Sequence, residues 1–209
     1  MTITSLDELV NAMANNSSRL VIDKTSLSNV AVAQFHSLWR ATGQPGQGAI
    51  PTTVAVPTNA TTGTFNFTQQ TSPATTYIAY LEAASSNNAV SVEIHDRLAH
   101  SGGLVGNVAT AQTTNLPLDM SSLLATDNIA ERIGDADYGD IQWWLEWYTD
   151  TGSTATTITV NVTYNDASTG NLTAGSIAAT RRASYMLPLN GLIPAAASGN
   201  RIRGVNSVT

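Results

Sequence analysis

Three groups of residues in this chain are of types that could do chemistry. His95-Asp96 with His100-Ser101 close behind supply the parts of a nucleophile, base and orienting acid. Their placement argues against a triad, because successive residues on a strand point to opposite faces and no Gly-x-Ser-x-Gly elbow presents a serine. The expected role of Asp96 is to pair with Arg97 or cap a turn. Asp135, Asp137 and Asp140 form the densest carboxylate cluster, with Glu146 eleven residues after Asp135, as in the last position of a calcium loop. Gly139 falls at the fifth loop position instead of the sixth, and Trp143, Trp144 and Leu145 occupy what should be loop, so this is not an EF-hand. A weaker calcium site built on Asp135, Asp137 and Asp140 competes with the plainer reading of turn-forming aspartates. Trp143, Trp144, Trp147 and Tyr148 could stack on sugars, but aromatic residues carried on a strand more often fill a core or a subunit contact, and that reading is preferred. No constellation names an enzyme; the expectation is a non-enzymatic protein without a cofactor.

The elements that must position these residues read as short strands. From 141 to 164 the pattern is that of a β-hairpin. Its second arm alternates Ile158, Val160, Val162 and Tyr164 with Thr157, Thr159, Asn161 and Thr163, around a turn at Asp150-Thr151-Gly152-Ser153. In the first arm Ile141, Trp143, Leu145 and Trp147 share one face. Trp144 and Tyr148 lie on the other, which is too aromatic for open solvent and predicts cover by another sheet or another chain. Further strands are expected at 19–23, 64–67, 77–82, 90–96, 176–180 and 202–208, and 116–133 reads as a short helix or an irregular connection. One clear helix is expected at 5–13: Ser5 and Glu8 have capping-box spacing, and Leu6, Leu9, Val10 and Met13 form one apolar stripe that must dock on something. The run Gly43-Gln44-Pro45-Gly46-Gln47-Gly48, with Pro51 behind it, predicts a loop and not regular structure. The fold expected is mainly β, an antiparallel β-sandwich or jelly-roll-like body at 51–209, preceded at 1–50 by a short helix, an extended arm and a Gly/Pro linker.

Composition narrows the function classes. The 209 residues are 42% hydrophobic, enough to bury a core, yet only 11% are charged, against roughly 25% in an average soluble protein. Thr, Ser, Ala and Asn take up the difference, as in adhesins and viral shell or tail proteins. A net charge of −6 offers no footprint for phosphate backbones, so no direct nucleic-acid binding is expected. Cysteine is absent, which removes disulfides and thiolate metal sites. The N-terminus has neither the basic region nor the apolar core of a secretory signal, and no apolar run reaches membrane-spanning length.

Several stretches taken in order resemble a family of virion structural proteins of tailed bacteriophages. They are Ser37-Leu38-Trp39, Gly43-Gln44-Pro45-Gly46, Pro51-Thr52-Thr53, the run from Asp96-Arg97 through His100-Ser101-Gly102-Gly103 to Leu104, Ala111-Gln112-Thr113, and Trp144-Leu145-Glu146-Trp147-Tyr148-Thr149 with Thr151-Gly152. The resemblance runs from about Leu38 to Val208. It implies a particle component assembled in the host cytoplasm, and assigns no chemistry to Arg97 or His100. Similar proteins continue past the position of Ile202, Arg203, Gly204 and Val205, so this chain is expected to be a shorter member or to lack a C-terminal portion. The first expectation is a capsid decoration or cement protein that binds the major capsid protein and self-associates, a trimer being the guess because capsids offer local three-fold positions. Leu6, Leu9, Val10, Met13, Trp144 and Tyr148 are the expected interface residues. The alternative is a tail, fibre or receptor-binding component that recognises host glycans.

Overall fold

The computed structural model describes residues 4–15, 20–26, 30–65, 78, 81–86, 90–123, 130–133 and 137–209. Helix α1 spans Leu6–Asn15. Its start is set by a reciprocal capping box: the Glu8 amide donates to Ser5 Oγ at 3.2 Å, and the Thr4 and Ser5 amides donate to Glu8 Oε2 at 2.7 and 3.2 Å. These bonds, led by the one from the Thr4 amide, hold the Glu8 carboxyl below its ordinary range.

The body is mainly β, with antiparallel pairing throughout. The first strands are β1 (Asp23–Thr25), β2 (Phe35–His36), β3 (Thr42–Gln44) and β4 (Leu118–Asp119). After short helices α2 (Met120–Leu123) and α3 (Ala130–Ile133) come β5 (Trp144–Glu146), β6 (Thr156–Ile158), β7 (Val160–Tyr164), β8 (Thr169–Asn171), β9 (Gly175–Ile177), β10 (Tyr185–Pro188) and β11 (Ile202–Val208). One sheet is ordered β4-β11-β7-β8 and a second β2-β10-β5, while β1 pairs with β3 and β6 with β9. Apolar side chains from the two larger sheets meet in one core, giving a sandwich-like arrangement. Val160, Val162, Tyr164, Ile202, Val205 and Val208 come from the first sheet, with Trp143, Leu145, Leu187 and Leu189 from in and beside the second. The Trp143 indole nitrogen donates to the Ile202 carbonyl at 2.8 Å, which ties the two layers across the core.

Strand β11 shows how irregular pairing reshapes a face. Strict alternation would bury Ile202, Gly204, Asn206 and Val208 together, but Ile202, Val205 and Val208 are the buried apolar residues. Register shifts between Ile202 and Gly204, and again between Val205 and Ser207, change the spacing from two to three. Gly204 sits where β4 crosses closely, so that a Cβ there would fall 2.9 Å from the Leu118 carbonyl oxygen.

The expected 141–164 hairpin does not form. Trp144, Leu145 and Glu146 pair with Pro188, Leu187 and Met186 of β10, whereas Val160 and Val162 pair with Val208 and Val205 of β11. Alternation reports which face of a strand is dry and not which strand lies beside it; each arm found a more distant partner. The 150s segment is held instead to the 180s, with Thr151 donating its amide to Arg181 O at 2.8 Å and Asp150 accepting from the Ala183 amide and Arg182.

Other expectations change too. Residues 90–96 form no strand despite clean alternation, and Val90, Val92 and Ile94 are about half exposed. The strand expected at 19–23 begins instead at Asp23, and half of each of those expected at 64–67 and 77–82 lies outside the described residues, the other half forming no strand. The Gly/Pro run is not all loop, because Gly43 and Gln44 belong to β3. Gly43, at φ +125°, lets Asp23 O approach to where a Cβ would be only 1.8 Å away, which is why a glycine can sit in that ladder. In the 116–133 stretch, Leu118 opens a strand and Met120 a single helical turn, both buried.

Candidate functional site

Trp39, Arg97, His100 and Glu146, scattered in sequence, meet in one place. Trp39 is buried, its indole nitrogen donating to Ala49 O at 2.9 Å. Its ring lies on Gly48, where a Cβ would sit 2.0 Å from Cε2. The Arg97 guanidinium stacks on the other side of this cluster, 4.4 Å from the Trp39 ring centroid, and the His100 ring meets the indole edge-on at 5.5 Å. Arg97 Nη2 then donates to Glu146 Oε2 on β5 at 3.1 Å. Below it, Gly102 passes so close to Pro51 that a Cβ would lie 2.3 Å from its carbonyl oxygen, and Ala55 and His100 exchange two backbone bonds of 2.9 Å. Gln112 pairs with Val208 through its backbone and holds the Val105 amide and carbonyl through its side chain. These residues therefore fasten loops to strands.

The electrostatics of the cluster are those of a partly buried ion pair. The Glu146 side chain is 8% exposed, and its Oε1 has no hydrogen-bond partner. Tyr148 is half-buried nearby; burial first, then the Glu146 charge, pushes its phenol up to about 12. Burial and then the Arg97 cation push His100 down to about 4.

The expected triad parts go to four different partners. His95 contacts Glu93 at 3.1 Å, His100 faces Arg97, and Ser101 Oγ donates to Asn115 O at 2.7 Å. Asp96 pairs with neither Arg97 nor a turn amide: Arg132 Nε on α3 donates to its Oδ2 at 2.6 Å. Asp137 accepts from the Gly139 amide at 2.8 Å as a turn former, Asp140 is exposed, and Asp135 lies outside the described residues. Among the described residues no three His, Asp or Glu side chains gather into a metal-binding group.

Of the expected interface residues, Leu6 and Val10 are 73% and 57% exposed and Leu9 is exposed as well. The side chain of Met13 lies outside the described residues. Trp144 is partly exposed, with Phe35 edge-on at 5.0 Å and His95 at 6.3 Å, so its face is shared with β2 and the 90–96 segment of its own chain. Sequence reading missed three features: the small-residue seats at Gly48 and Gly102, the contact of His36 Nδ1 with Ser184 Oγ at 3.1 Å, and Asn190, which bridges the Trp143 amide and the Ile141 carbonyl. Only the Gly/Pro density around Trp39 hinted at the first.

Exposed apolar surface is distributed unevenly along the chain. Every large apolar side chain that is exposed among the described residues lies between Leu6 and Val108, and none lies beyond. The second half supplies most of the core, on which Val54, Val56, Leu98 and Leu104 also pack, while the first presents Leu6, Val10, Val21 and Val32 to solvent. No known family model, curated protein or solved structure matches the chain.

Proposed function

We propose that this protein is a non-enzymatic structural component of a tailed-phage particle, a decoration or cement protein that binds the major capsid protein. The observation that carries the reading is that the exposed large apolar side chains among the described residues all fall between Leu6 and Val108 in the chain, while the later residues supply most of the core. Isolated exposed apolar residues are ordinary, but so many in one half of the chain supply apolar area that a partner could cover. Three of the resembling stretches support it from another direction: they pack together through Trp39, Arg97 and Glu146, with the potential catalytic groups dispersed. Many copies, each burying a modest area, would make attachment to a repeating lattice strong by accumulation.

The test is the protein's stoichiometry and position in purified particles of its phage, by quantitative gel densitometry and cryo-electron microscopy. Copy number comparable to the major capsid protein, with density on the head lattice, is expected; a few copies at the tail would overturn the assignment.

A further inference from the structure

Two of the contacts that fasten residues 35–48 to the body contain a histidine facing an arginine. At the first, His36 on β2 pairs with Tyr185 on β10, the Ser37 amide donates to Ser184 O at 2.8 Å, and His36 Nδ1 meets the hydroxyl of Ser184 at 3.1 Å. Ser184 is 2% exposed, and His36 Nε2 is buried without any hydrogen-bond partner. The charged group facing this ring is a cation, Arg181, which lies over the Tyr185 ring at 4.7 Å. At the second, Trp39 is gripped between Gly48, the edge of His100 and the Arg97 guanidinium. His100 Nδ1 faces Arg97 Nη1 at 3.5 Å, so that nitrogen is an acceptor only while the ring is neutral. The nearby carboxylate, Glu146, is engaged by Arg97, and the next, Asp96, by Arg132; Tyr148 completes the titratable groups around this fastening.

We infer that His36 and His100 form an acid-sensitive latch: while both rings are neutral the 35–48 segment is held on β10 and on Arg97, and protonation releases it while the β4-β11-β7-β8 sheet stays closed. A proton on His100 Nδ1 would point an N–H at a guanidinium, and one on His36 would leave a charged ring with its buried N–H unanswered. Burial, and next the neighbouring arginine, lowers the affinity of each ring for that proton. The sign follows from linkage. Both rings are neutral in the fold, whereas an unfolded segment would protonate near the ordinary value of about 6.5. Their contribution is therefore complete above that pH and is lost as pH falls from it toward about 4, the value for His100. The main sheet is spared because the chain has no histidine beyond His100. This device does not depend on the assembly role.

Hydrogen–deuterium exchange of the full chain, corrected for intrinsic rates, at about pH 7.5 and about pH 4.5, tests it across the histidine range. Amides of 35–48 should lose roughly tenfold or more in protection at the lower pH while those of β7 and β11 keep theirs. The double variant His36→Gln/His100→Gln should retain protection of 35–48 in acid. If it folds and still loses that protection, or if the wild type never loses it, the latch is wrong. Should the variant not fold, NMR titration of the wild-type imidazoles of His36 and His100 decides. His36 and His100 should titrate together with the loss of protection; titration at about 6.5 with 35–48 still protected overturns the inference.

Discussion

Gly48 has no room for a side chain because the indole of Trp39 occupies the place where one would go, 2.0 Å from the position of a Cβ. Gly48→Ala should therefore unseat Trp39 and cost about 1–3 kcal/mol in urea unfolding, the usual cost of overpacking; a shift within the error of the midpoint would mean the indole can swing away freely. The Arg97–Glu146 pair makes a second residue-scale prediction. Arg97→Ala strands a carboxylate that is 8% exposed, which should cost about 3 kcal/mol, whereas Arg97→Met/Glu146→Leu should recover most of that loss because an apolar pair needs no counter-charge. The two unfolding midpoints, measured side by side, separate an ion pair that stabilises from one that is merely costly to break. Tyr148 reports on the same pocket: its phenol should ionise at about 12 in a spectrophotometric titration, and Glu146→Gln should lower that value by removing the anion beside it.

At the scale of elements, helix α1 and the two larger sheets answer to different demands. The helix has a satisfied N-terminus, and its Leu6, Leu9 and Val10 are exposed, so those side chains contribute little to the isolated fold. Leu6→Ser/Val10→Ser should leave the unfolding midpoint of the body within about 0.5 kcal/mol of the wild type, as for ordinary surface changes. The same variant should bind poorly to particles stripped of the protein in a co-sedimentation assay; undiminished binding would exclude the helix from the contact. Strand β5 behaves oppositely. Trp144 packs edge-on with Phe35 of β2, and Trp144→Ala should destabilise the chain by about 1–2 kcal/mol through that aromatic contact and its buried area. The helix was legible because capping and stripe are local signals. The pairing of β5 with β10 was not, because nothing in residues 141–164 specifies which of several distant apolar strands will lie alongside.

Over the whole molecule, a half that supplies most of the core joins one that leaves many of its large apolar side chains exposed. The buried core is drawn largely from residues beyond Pro117, with Trp39 and Ala41 as additions from the earlier chain. That division predicts how the molecule responds to acid. With all three histidines in the first 100 residues, and Asp119 in the main sheet holding its carboxyl low, acid should act first on the N-terminal half. Burial opposes that lowering at Asp119, but bonds from Ser121 and Arg203 outweigh it. A pH series of near- and far-ultraviolet circular dichroism should show aromatic signal from around Trp39 changing at higher pH than the strand signal, and coincident changes would mean the two halves unfold as one.

What the sequence by itself determined was local and periodic: the capped helix at Ser5 and Glu8, the dry face of Val160, Val162 and Tyr164, and the mainly β class. Only the tertiary structure decided the partners. It set β5 against β10, turned β11 by two register shifts so that Val205 faces inward, carried Asp96 to Arg132, and gathered Trp39, Arg97, His100 and Glu146 from across the chain. The reason is physical: helix caps and strand faces depend on neighbours within a few residues, whereas strand partners and ion pairs depend on which complementary surfaces meet once the chain has collapsed, and this sequence offers many apolar and polar surfaces that are alike.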